Sequence, residues 1–150
     1  MAQLSSFDKK VRWFIYDHFV QQSRPPSMAE TAVQFEIDDE EARAAYYRLH
    51  ENHAIFLEPG QDIIRMANPF SGIPTTFQVE TEHQTWSANC AWDMIAIPAM
   101  LQIDATLKTV CPASQEPLTL TVVDGQVYGQ KELIHFAVPF AHWYDDLIFT

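Results

Sequence analysis

A thiol and a carboxylate stand three residues apart in the segment Trp86-Ser87-Ala88-Asn89-Cys90-Ala91-Trp92-Asp93-Met94-Ile95-Ala96-Ile97-Pro98-Ala99-Met100-Leu101. The apolar run after Asp93 reads as a buried helix, and residues at i and i+3 share a helix face. Cys90 and Asp93 can therefore address one atom together. With Ser87 or Asn89 as the cap, Cys90 falls in the first turn, where backbone N–H groups and the helix dipole favour a thiolate. Such a pair sets a soft sulfur nucleophile beside an acid able to hold and deliver a proton, at the edge of a core. The ordinary role of these residue types is plainer: a cysteine in an apolar helix is commonly a small buried hydrophobe, and an aspartate a cap or a surface group.

Other residues with chemical potential offer less. His83, His135 and His142 suggest zinc, but no pair has the compact spacing of structural zinc ligands, so they read as core or surface histidines. Asp145 and Asp146 are adjacent, and on a strand they point to opposite faces. Trp86, Trp92 and Trp143 read as core, with one of them able to wall a pocket. The chain has four glycines and no Gly-rich phosphate loop, which argues against a nucleotide cofactor.

The elements that must position the pair follow from periodicity and punctuation. Ser5 or Ser6 opens a helix with Phe7, Val11, Phe14, Ile15, His18 and Phe19 at helical spacing, stopped by Pro25 and Pro26. Ser27 caps a short helix through Phe35. Asp38, with Glu41 three residues on, resembles a capping box and starts a third helix through about Glu51, with Ala42, Ala45, Tyr46 and Leu49 inward. A hairpin follows, from Ile55-Phe56-Leu57 through the turn at residues 58–62 to Ile63-Ile64-Arg65-Met66. Three helices and a hairpin make a winged helix. Linker signals at Asn68-Pro69 and Ser71-Gly72-Ile73-Pro74 divide the chain into 1–67 and 68–150. Beyond them, Thr76 to Val79 and Thr85-Trp86 read as a strand pair entering the Cys90 helix. Residues 105–110, 118–123 and 133–138 read as strands, Asp124-Gly125 as a turn, and 143–150 as an apolar, strand-like run. The fold class is therefore α+β, a winged-helix-like three-helix domain followed by a small mixed, strand-rich one.

Composition bounds the function. In 150 residues, 47% are hydrophobic and 19% charged, which suits a globular chain and not a disordered one. No segment reads as a signal peptide or a membrane span. Two cysteines make no disulfide framework, so a reducing, cytoplasmic setting with free thiols is the expectation. A formal charge of −11, from twenty acids against nine Lys and Arg, opposes binding to a phosphate backbone. In a DNA reader the third helix enters the major groove. Here that helix opens with Asp38, Asp39, Glu40 and Glu41, which phosphate would repel. A packing or substrate-covering role is the better expectation for residues 1–67.

The run Asn89-Cys90-Ala91-Trp92-Asp93-Met94-Ile95-Ala96-Ile97-Pro98-Ala99 resembles the active-site helix of the organomercurial (alkylmercury) lyases. The similarity extends to Asp104-Ala105-Thr106-Leu107 and to Cys111-Pro112-Ala113-Ser114-Gln115-Glu116-Pro117-Leu118-Thr119-Leu120-Thr121-Val122. Pro69-Phe70-Ser71-Gly72-Ile73-Pro74 and His135-Phe136-Ala137-Val138-Pro139 resemble segments of more divergent members. The resemblance implies protonolysis of a carbon–mercury bond, giving a hydrocarbon and Hg(II). Cys90 would bind mercury first, because a soft thiolate prefers a soft metal. Asp93 would relay the proton to carbon and steady the metal. No cofactor is implied. The partners implied are an organomercurial, Hg(II), and a thiol acceptor or mercuric reductase for product transfer, with no nucleic acid and no membrane. The family's second active-site cysteine has no counterpart up to Thr150, so a truncated chain or a variant of slow turnover is expected. The resemblance makes Cys111 the family's structural cysteine, expected to be buried.

Overall fold

Ser5, Ser27 and Asp38 start the three helices that the spacing predicts. The computed structural model describes residues 3–129, 133–136 and 138–148. Helix α1 (Ser6–Gln22) begins with a reciprocal capping box between Ser5 and Asp8. Helix α2 (Met28–Phe35) repeats the device with Ser27 and Glu30. Helix α3 (Asp39–Glu51) is capped by Asp38, whose carboxylate accepts from the Glu41 N–H at 2.8 Å. The buried Asp8 carboxylate also takes Arg48 Nη2 at 2.8 Å, so the group that starts α1 ties it to α3. Val11, Ile15 and Phe19 bury one stripe of α1 in a core shared with Ala45, Tyr46 and Leu49 of α3.

The wing is larger than expected. Strands β1 (Phe56–Leu57) and β2 (Ile64–Ala67) form the hairpin, and β3 (Phe70–Ser71) adds a third antiparallel strand. Ser71, read as a linker signal, is therefore buried strand together with Phe70. The glycine signal misled because Gly72 serves close backbone approach: a Cβ there would stand 1.9 Å from the Ile64 carbonyl oxygen. Its N–H donates to the Arg65 carbonyl at 2.7 Å. Phe70 is fully buried and stacks on Phe19 with ring centroids 5.1 Å apart.

The second sheet has the order β5-β4-β6-β7-β8, antiparallel throughout. Its strands are β4 (Gln78–Glu80), β5 (Thr85–Ser87), β6 (Ala105–Val110), β7 (Pro117–Val123) and β8 (Gln126–Tyr128). Helix α4 (Ala91–Leu101) packs on β4 and β6, burying Met94 and Ile97 beside Val79 and Leu107. Asp124 and Gly125 both have positive φ, the signature of a primed hairpin turn, and lead into β8, whose exposed residues gave no sequence signal.

One core runs through the molecule, from Val11 and Phe19 through Phe70 to Trp86, Ile97 and Val122. The C-terminal end of α1 is fastened to the second sheet. Trp86 Nε1 donates to the Phe19 carbonyl at 2.8 Å, and Gln84 Nε2 reaches the Val20 and Gln21 carbonyls, each at 3.0 Å. Gln84 thus satisfies two carbonyls that a helix end leaves open, and Trp86 adds a second donor to the Phe19 carbonyl, which also takes the Ser23 N–H. The architecture is α+β, helices first and strands after, as the periodicity predicts.

Two expected strands differ. Residues 133–136 and 138 form no strand, and Ala137 lies outside the described residues. Leu133 is 93% exposed, so its apolar character reflects no sheet burial. Residues Phe140–Asp145 form a short 3-10 helix (η1) in place of the strand-like run, and Phe149 and Thr150 lie outside the described residues. Among the described residues no helix is long and apolar enough to cross a membrane.

Candidate active site

The backbone that carries Cys90 is fixed before the helix begins. Ala88 is fully buried and bridges to Phe70; its N–H donates to the Phe77 carbonyl at 2.9 Å. Thr75 Oγ1 donates to the Ala88 carbonyl at 2.7 Å. The chain therefore arrives extended, and Cys90 itself is the N-cap of α4, with φ −152° and ψ 179°. This corrects the expectation that Ser87 or Asn89 caps the helix and Cys90 lies inside its first turn. No side-chain hydrogen bond caps α4.

Asp93 sits one turn on, at the third helical position, and lines the same cleft as Cys90. Burial pushes the Cys90 thiol above its ordinary value, and the negative charge of Asp93 adds to the rise. The backbone N–H groups of Asp93 and Trp92 oppose this without overcoming it. A thiolate favoured at rest by the helix terminus is thus not what the site holds: desolvation outweighs the dipole. Burial likewise raises the Asp93 carboxyl, while donors from Asn89 and Cys90 pull it down. Burial thus disfavours the charged form of both members of the pair.

Asn89 is the carboxylate's other partner. Its Nδ2 lies 3.0 Å from Asp93 Oδ2, 3.1 Å from Asn68 Oδ1 and 3.3 Å from the Pro69 carbonyl oxygen. Its own Oδ1 is buried and has no partner among the described residues. The Asn68–Pro69 peptide is cis.

Cys90 and Asp93 line one cleft of about 130 Å³. Its polar wall is Arg65, Asn68, Ser71, Thr75 and Asn89, and its apolar wall is Trp92, Phe136, Trp143, Leu147 and Ile148. Met66 also lines the cleft. Arg65 is paired with Glu58 at 2.5 Å, so the cation beside the site carries its own counter-charge. Such a site can take a small apolar group carrying a soft metal, offer it sulfur, and return a proton from the adjoining acid. A second cavity of about 380 Å³ shares Met66, Asn68 and Leu147 with the cleft and adds Arg12, His50, His53 and Tyr144.

The remaining candidates separate. Trp86 is core, whereas Trp92 and Trp143 wall the cleft, so more than one tryptophan does so. Cys111 lies outside the cleft in the turn between β6 and β7, half-buried, contrary to the expected burial. The backbone N–H and the hydroxyl of Ser114, with the Ala113 N–H, hold its thiol below the ordinary value. His142 pairs with Asp145 at 3.0 Å inside η1, and His83 and His135 are exposed. Among the described residues no group of three or more His, Cys, Asp or Glu could hold a metal ion. Sequence reasoning missed Asn89 as a partner, although the i, i+4 spacing of Asn89 and Asp93 was the available signal. Nothing local pointed to Arg65, Met66 or Asn68, which reach the cleft only through the wing.

The alkylmercury lyase family model matches residues 70–148. Among solved structures, the mercury-bound form of MerB2 superposes with a TM-score of 0.62 at 22% identity, covering 82% of this chain and 60% of that one. The chain thus spans less than two thirds of that relative's length. No curated protein matches the sequence. With β3, the Cys90 helix, the second sheet and the cleft-lining aromatics all inside the matched region, the chain belongs to the alkylmercury lyase family.

Proposed function

We propose that the chain cleaves the carbon–mercury bond of organomercurials by protonolysis, with Cys90 as the mercury ligand and Asp93 as the proton relay. The observation that carries this is Cys90 and Asp93, one helical turn apart, lining a single cleft with an aromatic wall. As sulfur bonds to mercury, its proton passes to Asp93. The carboxyl O–H then protonates carbon as the Hg–C bond breaks, and the bond's electron pair stays with carbon. Hydrocarbon leaves, and Hg(II) remains on Cys90 until a second thiol removes it. Buried surroundings favour the first step, because the thiol proton neutralises a carboxylate that burial disfavours when ionised; protonation of carbon then returns Asp93 to its carboxylate form. No cofactor enters this scheme.

Residues 1–67 are read as the covering unit and 68–150 as the catalytic one; a family match that begins at residue 70 supports the division. A second reading, a thiol-based soft-metal binder that does not cleave carbon, draws support from Cys90 being the one thiol on the cleft among the described residues. Incubation with phenylmercury and excess small thiol separates the two. Benzene released catalytically supports the lyase. Stoichiometric retention of phenylmercury without benzene would leave the binder.

A further inference from the structure

We propose that Asn89 is a positioning residue for Asp93: its amide, anchored through Asn68 to the N-terminal helices, fixes the carboxylate in the orientation that receives the Cys90 proton. This rests on the lyase reading above. The orientation of the amide is decided by its neighbours. Three oxygens, from Asp93, Asn68 and Pro69, surround one nitrogen at 3.0 to 3.3 Å, and only the NH₂ end can meet them. A flipped amide would oppose oxygen to oxygen three times over.

The amide is itself held from two directions. Its backbone follows Ala88, locked by the bridge to Phe70 and by Thr75. Its side chain rests against Asn68, whose carbonyl accepts from Tyr16 Oη at 2.9 Å. A hydrogen-bonded line therefore runs from α1 through Asn68 and Asn89 to Asp93. The helical unit, whose acidic third helix is unsuited to DNA, gains a role as the buttress of the acid. The unpartnered Oδ1 fits this assignment: the amide satisfies the carboxylate and leaves its own acceptor unmet.

The chemical consequence concerns which carboxylate oxygen is free. With Oδ2 occupied by a donor, the remaining lone pairs of Asp93 are left for the Cys90 proton. Loss of the amide frees the carboxylate to rotate and removes a donor that favours its ionised form. The oxygen that faces Cys90 would then no longer be held where the sulfur proton arrives.

The test compares steady-state hydrocarbon release by the parent and Asn89→Ala, and records the Asn89 side-chain amide signals by NMR in the parent and in Asp93→Ala. The expected result is a kcat about 10–100-fold lower in Asn89→Ala, the usual cost of losing an outer-shell partner, with KM little changed. The Asn89 amide signals should shift in Asp93→Ala, which removes their carboxylate acceptor. An unchanged kcat in folded Asn89→Ala, or Asn89 amide signals alike in the parent and Asp93→Ala, would overturn the proposal; the latter measurement stands even if Asn89→Ala fails to fold. A parent whose amide signals respond as expected but that releases no hydrocarbon overturns the lyase reading while the amide–carboxylate contact stands.

Discussion

Cys90 and Asp93 constrain each other through burial, and that constraint makes their separate roles measurable. Cys90→Ser replaces a soft sulfur by a hard, poorly ionised hydroxyl, so tight stoichiometric binding of mercury at the cleft should vanish in mercury titrations. Retained binding would put the metal on Cys111 or elsewhere. Asp93→Ala should leave organomercury binding intact and lower hydrocarbon release by roughly 10²–10⁴, the contribution of a positioned acid. Equal rates in parent and variant would make Asp93 a helix residue only. The two thiols should also separate by pH. Cys111, held low by N–H donors, should be alkylated at lower pH than Cys90, which burial and Asp93 hold high. Peptide mapping after alkylation across a pH series reads both curves, and coincident curves would contradict the environments described. Because Asp93 carries a raised folded-state value, its proton is bound more tightly folded than unfolded. The linked stability is therefore present at low pH and lost as pH rises through the folded value. Asp93→Asn should accordingly raise Tm at neutral pH, by an amount that shrinks below the ordinary aspartate range.

Elements were legible where one local signal dominates, and illegible where a distant partner decides. Ser5, Ser27 and Asp38 announce α1, α2 and α3 because caps act within a turn of themselves. The alternating β6 and β7 announced themselves by period, whereas β8 shows three exposed residues and is strand only because Val122 and Val123 offer it an edge. Gly72 is the instructive failure. Its neighbours Ser71 and Pro74 look like linker, yet its missing side chain lets β3 pass against Ile64. The candidate pair itself was legible in spacing, but its electrostatics were not, since a desolvated site reverses what a helix N-terminus alone implies. Gly72→Ala tests this reading at the element scale. A methyl cannot fit 1.9 Å from a backbone carbonyl oxygen, so β3 must move, and with it the Arg65 and Ser71 wall of the cleft. The expected outcome is a loss of about 1–3 kcal/mol in denaturant unfolding, the range of overpacking. A true linker glycine would tolerate alanine at under about 0.5 kcal/mol.

At the scale of the whole molecule, the question is whether the helical unit and the catalytic sheet are one cooperative body. The shared core argues that they are: Phe19 of α1 stacks on Phe70 of β3, and its carbonyl receives Trp86 of β5. A winged helix built for independent service would keep its own core and leave α1's last carbonyls to water. Here Gln84 and Trp86 occupy them, and the family match begins at the strand that carries Phe70. Phe70→Ala therefore removes packing from both units at once. Deleting a fully buried phenylalanine costs about 3–5 kcal/mol. The loss should appear as a single shifted transition, with circular dichroism of the helices and fluorescence of the four tryptophans, Trp13 on α1 and Trp86, Trp92 and Trp143 beyond it, melting together. Two separated transitions in the parent would show that the helical unit unfolds alone. In that case the line from Tyr16 to Asp93 would cross a hinge rather than a core, and α1 could not hold the acid in place.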